Sequence, residues 1–425
     1  MFFFLYTIGC QMNEYDTNIY RRVLHRYGFQ PTEDPYLADL ILVNTCAVRD
    51  KSIKKAVSFL GITAKIKKQK PSLIVALTGC ASALIMKELK SRTFIDFFWG
   101  ALNQTSIPDQ FLTMLGKKGY SDTGESHSQQ SAPFTKEIPI IFGCDSFCTY
   151  CIVPYLRGRE KSLPMEYLLS ELDKAVKAGC KEILLLGQNV NHYGKDLSPS
   201  LAFADLLNTM AASYPLIRFD FLTSHPKDFD IRILQVMEKH SNIYKHFHLP
   251  AQHGDNDVLA SMNRGYTYEQ YTETIQIIRS FFPMATLSTD LIVGFPGETE
   301  AAFQNTVKLV ESVQFDMIFA AQYSKRPGTP AEKYPDQIPE LVKRERINLL
   351  LQKQKSISKQ KNLHWIGRRA RVMITEKTSS NCFLGKTEEE KTVLLQSVSV
   401  EIGNEANVII TEISNGSLIA EMVGE

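Results

Sequence analysis

GCDSFCTYCIVPYLRGRE, residues 143–160, holds three of the chain's eight cysteines, Cys144, Cys148 and Cys151, in the pattern C-x3-C-x2-C. No fourth cysteine or histidine lies near enough in the sequence to complete a tetrahedral zinc knot, and zinc sites usually show paired C-x2-4-C units. Buried cysteines that pack as small hydrophobes have no need of such spacing. Thiolates are the usual ligands of iron–sulfur clusters, and a four-iron cubane takes one thiolate per iron. Three cysteines therefore leave one iron open to a substrate or cofactor.

Outward from this motif, six apolar strand-like runs alternate with helical patterns, at 138–142, 183–186, 217–222, 246–249, 287–293 and 316–323. Six βα units are too few to close an eight-stranded barrel. An open partial (β/α)6 barrel is expected, with its chemistry at the carboxyl ends of the strands. There the sequence places the cysteine motif itself, Gln188-Asn189, Ser224-His225, Gln252-His253-Gly254, the run Gly294 to Glu298, and Ser324-Lys325-Arg326. Gly, Asn and Pro populate turns anyway; what counts is that the other five sets fall around one cluster motif. Residues 116–137 have almost no apolar periodicity and read as a linker.

Before that linker, runs 2–8, 40–43 and 73–77 read as buried strands and 16–27 and 51–67 as helices, a βαβ pattern that predicts a parallel sheet. The three strands end alike, in Ile8-Gly9-Cys10, Asn44-Thr45-Cys46 and Thr78-Gly79-Cys80. Parallel strands point the same way, so Cys10, Cys46 and Cys80 are expected at one sheet edge, where open α/β sheets bind their ligands. Cys180 and Cys382 lack such a setting and read as packing residues.

Past a basic helical stretch ending near Leu363, residues 369–425 turn rich in Val, Ile and Thr, with short runs at 370–375, 392–396, 406–413 and 417–422. That predicts a small all-β barrel or sandwich. A length of 425 residues suits three domains, and 44% hydrophobic with 22% charged residues describes an ordinary globular protein. The net charge of +2 is small, but residues 51–70 carry seven lysines and no acid, and 341–371 carry ten basic residues against Glu345 alone. Two such runs point to a polyanionic partner. The apolar opening MFFFLYTI has no basic flank and is too short to span a bilayer, so a cytoplasmic, membrane-free protein is expected. In a reducing compartment, grouped cysteines indicate metal or redox chemistry.

The spacing of Cys144, Cys148 and Cys151 resembles that of radical S-adenosylmethionine (SAM) enzymes. GCQMNEYDT (9–17), NTCAVRDKS (44–52) and TGC (78–80) resemble the N-terminal domain of the radical SAM methylthiotransferases, and within them the tRNA-modifying MiaB family. The likeness continues in LGQNVNHYG (186–194), SHPKDF (224–229), MNRGYT (262–267), STDLIVGFPGETE (288–300) and RPGTPA (326–331), while FLGKT (383–387) resembles the TRAM domain of tRNA-modifying enzymes. The family often has Gln-Ser-Gly-Ser where this chain has Gln252-His253-Gly254-Asp255, and asparagine in place of Asp145.

The resemblance implies an α/β protein of four segments: a methylthiotransferase domain over 1–115, a linker over 116–137, a radical SAM domain over 138–362 and a TRAM-like RNA-binding domain over 363–425. It implies two [4Fe–4S] clusters, one on Cys144, Cys148 and Cys151 that binds SAM, and an auxiliary one on Cys10, Cys46 and Cys80. No catalytic side chain beyond these ligands is assigned. By family, one SAM methylates a sulfur on the auxiliary cluster. A second SAM yields a 5′-deoxyadenosyl radical that prepares C2 of N6-(dimethylallyl)adenosine, at position 37 beside the tRNA anticodon, to accept the methylthio group. A radical fits the task, because no side chain is basic enough to take that hydrogen as a proton. The partners implied are tRNA, an electron donor and a sulfur or cluster supply. Rival readings are a methylthiotransferase acting on threonylcarbamoyladenosine in tRNA or on a ribosomal protein, and a non-catalytic RNA-binding iron–sulfur protein.

Overall fold

The computed structural model describes residues 1–423 apart from 49, 90–91, 103–106, 118–133, 380–381, 397–399 and 415. The chain divides into two compact units: residues 1–117 with Phe142–Phe147 and Cys151–Lys161, and the remainder from 134 onward.

In the first unit, β1 (Phe2–Thr7), β2 (Gln30–Pro31), β3 (Leu40–Thr45), β4 (Ile74–Gly79) and β5 (Phe97–Phe98) form a sheet of order β2-β1-β3-β4-β5. Every pairing in it is parallel. β3 and β4 are buried along their whole length, which is why they read as unbroken apolar runs. Their side chains alternate between two cores. Ile41, Val43, Val75 and Leu77 pack with Phe59 and Leu60 of α2 (Asp50–Gln69) on one face. Leu40, Leu42, Ile74 and Ala76 pack on the other with Tyr20 and Leu24 of α1 (Gln11–Arg26). Two further helices, α3 (Ser82–Glu88) and α4 (Asp109–Lys117), complete this part. α1 begins five residues before the expected position, because Cys10 already occupies its N-cap and its carbonyl accepts from the N–H groups of Asn13 and Glu14 at 2.8 and 3.2 Å.

The expected linker over 116–137 lies mostly outside the described residues. Of its ends, Gly116 and Lys117 close α4, and 135–137 open a strand, β6 (Thr135–Pro139). β7 (Ile141–Phe142), the cysteine motif, α5 (Val153–Arg157) and β8 (Lys161–Ser162) follow.

In the second unit all six expected barrel strands form. β6 pairs with β9 (Glu182–Leu186), and β9 with β10 (Arg218–Phe221); β11 (His246–His248), β12 (Thr286–Val293) and β13 (Met317–Gln322) form a second parallel sheet. A bridge between Phe219 and Ile243 joins β10 to the residues before β11. The helices α6 (Met165–Lys177), α7 (Phe203–Ser213), α8 (Arg232–Lys239), α9 (Asn256–Ser261), α10 (Tyr268–Phe281), α11 (Glu300–Val313) and α12 (Glu340–Leu363) alternate with these strands or follow them. Cys180 is 2% exposed in the large apolar core they share, as expected of a packing residue.

The C-terminal strands β14 (Arg369–Ser379), β15 (Cys382–Thr387), β16 (Thr392–Gln396), β17 (Glu405–Ser414) and β18 (Ser417–Met422) close a barrel in the order β14-β15-β16-β18-β17. Cys382 opens β15 and is only half-buried. No helix among the described residues is long and apolar enough to cross a membrane.

Candidate active site

Parallel pairing brings the ends of β1, β3 and β4 side by side, and with them Cys10, Cys46 and Cys80. Cys46 and Cys80 are 3% and 7% exposed, whereas Cys10 stands at the exposed rim. Gly79 explains its place before Cys80: its φ is +94°, and a Cβ there would lie 2.2 Å from the Thr45 carbonyl oxygen. The backbone N–H of Val48 donates to Cys46 Sγ at 3.4 Å.

The Cys10 thiol is pulled down to about 5, chiefly by a hydrogen bond from Cys46, with the Arg157 charge assisting against burial. Cys46 is pushed up by the same bond and by burial, and Cys80 by burial against the pull of Arg157. Of the three thiols Cys10 is thus the readiest to ionise, and a metal would draw the protons from the other two.

Arg157 comes from α5, just past the C-x3-C-x2-C motif. Its Nε donates to Cys80 Sγ at 3.2 Å, and its Nη2 lies 3.3 Å from Asp16 Oδ2 on α1. Both side chains are almost wholly buried, at 3% and 1% exposure. Burial raises the Asp16 carboxyl to about 7 against the pull of Arg157. Arg157 Nη1 and Asp16 Oδ1 have no partner among the described residues. Ile152 and Leu156 beside Arg157 pack into the same core as Cys80, which fixes α5 there.

Cys144 and Cys151 belong to this unit too. Gly143, at φ +75°, lets the chain press against the Arg159 carbonyl, and Cys144 N–H donates to the Gly158 carbonyl at 3.2 Å. Asp145, where the family often has asparagine, pairs with Arg159 at 2.7 Å and accepts from the Glu160 N–H at 3.2 Å.

Cys148 is in the second unit. Its neighbour Thr149 donates from its backbone to the Met262 carbonyl at 3.1 Å and from its hydroxyl to the Ser261 carbonyl at 2.8 Å. Arg264 donates to Cys148 Sγ at 3.3 Å, to the Pro250 carbonyl at 2.9 Å and to Tyr266 Oη at 3.1 Å, and is 5% exposed. Among the described residues no carboxylate pairs with this guanidinium, which lies deep among phenols, a thiol and a carbonyl, although buried charges ordinarily need one. An anionic sulfur centre at Cys148 would supply the missing charge.

At the ends of β9 and β10, Asn189 accepts from the His225 N–H at 3.2 Å and donates to Asp228 Oδ2 at 3.0 Å. His225 is 8% exposed, neither ring nitrogen has a hydrogen-bond partner among the described residues although Nδ1 lies 3.6 Å from Asp228 Oδ2, and burial with the nearby Arg264 lowers it to about 3. The imidazole is therefore neutral and offers one donor and one acceptor. His253 is committed elsewhere: its Nε2 lies 2.9 Å from Glu298 Oε1, and Glu298 also pairs with Arg346 at 2.8 Å.

The basic runs are used unequally. In α12, Lys343 donates to the Tyr323 carbonyl, Arg346 pairs with Glu298, and Lys361 pairs with Asp316. Arg344, Lys355, Lys359, Arg368 and Arg369 stay exposed, as do Lys51, Lys54, Lys55, Lys65 and Lys68 of α2.

Three family models match the chain: "Uncharacterized protein family UPF0004" over 3–100, the Radical SAM superfamily over 138–310 and the TRAM domain over 365–423. The chain is 37% identical to the tRNA-2-methylthio-N(6)-dimethylallyladenosine synthase of Natranaerobius thermophilus, over 99% of this chain and 96% of that one. With the protein of the same name from Dictyoglomus thermophilum it shares 39%, over 100% and 99% of the two chains. The chain belongs to this synthase family, the MiaB family.

A solved radical SAM methyltransferase, TsrM of Kitasatospora setae, matches with a TM-score of 0.55 at 13% identity, over 78% of this chain and 77% of that one, a likeness of fold. The radical SAM fold of MiaB proteins brings with it SAM and [4Fe–4S] clusters. Three clustered thiols in the first unit, and in the second an arginine on Cys148 that no carboxylate among the described residues pairs with, suit such groups. Arg157, Asp16 and Arg264 were not foreseen from the sequence. Asp16 and Arg264 do lie inside stretches that carry the family likeness, and Arg157 inside the stretch 143–160, but nothing in their spacing marks them as neighbours of the cysteines.

Proposed function

We propose that the protein is a radical SAM tRNA methylthiotransferase that converts N6-(dimethylallyl)adenosine beside the anticodon of tRNA into its 2-methylthio derivative. The full-length likeness to synthases of that name carries this reading. Residues 1–115 would serve as the methylthiotransferase domain, 116–137 as linker, 138–362 as the radical SAM domain and 363–425 as the RNA-binding TRAM module. Cys10, Cys46 and Cys80 would ligate the auxiliary [4Fe–4S] cluster, and Cys144, Cys148 and Cys151 the one that takes SAM.

When bound, the clusters and SAM supply the radical and the sulfur transfer. The chain's own part is to hold and to balance charge. Arg264 places a fixed cation against Cys148, and Asn189 orients both the His225 backbone and Asp228 at the strand ends. His225 presents a neutral imidazole there. Exposed Arg368 and Arg369 stand just ahead of and within the first strand of the C-terminal barrel, placed to meet phosphates. A reductant, a cluster supply and a cytoplasmic setting complete the proposal.

Anaerobically reconstituted protein, given SAM, reductant and sulfide, should methylthiolate tRNA that carries dimethylallyladenosine and leave tRNA with plain adenosine there untouched. Equal modification of both, or of neither, would contradict the reading.

A further inference from the structure

The α5 helix that follows the C-x3-C-x2-C motif does not point its arginine at that motif. Arg157 turns instead to the ends of β1, β3 and β4, where its Nε donates to Cys80 Sγ at 3.2 Å and its Nη2 meets Asp16 at 3.3 Å. Its Nη1 is buried and has no partner among the described residues. Ile152 and Leu156 hold the helix in place by packing with Cys80, Ala81 and Leu77. This is a fixed donor, and it reaches the cysteines from 77 residues along the chain.

An iron–sulfur cluster becomes more negative when it takes an electron. N–H···S hydrogen bonds and a nearby positive charge favour that reduced form and raise the reduction potential, as net charge and hydrogen bonds to sulfur do generally. We propose that Arg157 is a positioning residue of the auxiliary site, through which α5 sets the reduction potential of the cluster on Cys10, Cys46 and Cys80. Asp16 holds the guanidinium in place and offsets part of its charge. The inference rests on the ligand assignment proposed above.

The test uses the full chain with Cys144→Ala, Cys148→Ala and Cys151→Ala, so that only the auxiliary cluster remains, and reads its midpoint potential by an EPR-monitored redox titration. Arg157→Gln should shift the midpoint to more negative values. Arg157→Lys, which keeps the charge but loses the planar fork, should give a smaller shift of the same sign. Asp16→Asn, with the titration run at a pH above the Asp16 value of about 7, should move it the opposite way, because a negative charge is removed; general loosening of the site would not produce opposite signs. If Arg157→Gln takes up no cluster, the Lys and Asn variants decide. Midpoints equal to that of the parent, or an Asp16→Asn shift of the same sign as Arg157→Gln, overturn the inference alone. A parent that binds no four-iron cluster overturns the ligand assignment, and the inference with it.

Discussion

Arg264 donates from its Nη1 to the sulfur of Cys148 at 3.3 Å, yet 116 residues separate them and the other groups it bonds are two phenols and a carbonyl. Among the described residues no carboxylate pairs with it, and an anionic cluster sulfur at Cys148 would answer its charge. Loading the clusters should therefore raise the thermal midpoint of the wild type more than that of Arg264→Met. A hydrogen bond to a charged group contributes on the order of 2 kcal/mol, so the difference should be measurable by calorimetry on anaerobic samples. An equal rise in both proteins would mean that Arg264 is balanced in some other way.

A second ionic centre ties the C-terminal barrel to the strands before it. His246 Nδ1 lies 2.8 Å from Glu390 Oε2 and 3.4 Å from Asp220 Oδ2, and Lys386 adds a cation 3.3 Å from Glu390. Ser288 faces the other ring nitrogen at 3.1 Å. Burial works against protonation of His246, but the two carboxylates outweigh it and hold the imidazolium up to about 10. Since the folded value lies above the ordinary 6.5, this stability is complete below pH 6.5 and is lost as pH rises through about 10. The melting temperature of the wild type should fall across that interval, and His246→Gln should show a flatter profile. Parallel profiles would remove His246 from the account. Asp220, His246 and Glu390 also have the composition of a metal site.

The two cysteine sets should separate in function. Wild-type protein should hold about eight irons, four per cubane, and replacing either set by alanine should halve the iron. With Cys10, Cys46 and Cys80 changed, reductive cleavage of SAM should persist while no methylthio product forms. Loss of SAM cleavage in that variant, with its fold intact by circular dichroism, would contradict the division.

Exposed Arg368 and Arg369 are the cleanest probes of tRNA binding, because Arg371 is engaged with Glu388 and Glu405. Changing both to Gln should weaken tRNA binding and reduce the slope of log affinity against log salt by about 0.7–0.9 for each phosphate that is no longer neutralised. An unchanged slope would shift attention to the exposed lysines of α2.

Much of this was legible because local signals agreed with the fold. Cys10, Cys46 and Cys80 each follow an apolar strand, and parallel pairing alone brings such positions to one edge. The six barrel strands were visible for the same reason. What stayed hidden depends on partners far along the chain. Arg157 and Cys80 are 77 residues apart, and no periodicity links them. The basic run of α12 misleads when charges are counted locally, since the acids that pair with Arg346 and Lys361 are Glu298 and Asp316. The strand β15 carries Gly385 at its middle, where a Cβ would lie 2.4 Å from a Val372 methyl; that glycine weakens the strand signal while permitting the close approach to β14.

The most direct measurement is mass spectrometry of tRNA nucleosides from cells with the gene, without it, and with it restored as wild type or as Cys10→Ala. The account predicts 2-methylthio-N6-(dimethylallyl)adenosine only where intact protein is present, with N6-(dimethylallyl)adenosine accumulating in the deletion and in the Cys10→Ala strain. Undiminished methylthio nucleoside in the deletion, or loss of a different modified nucleoside, would contradict it.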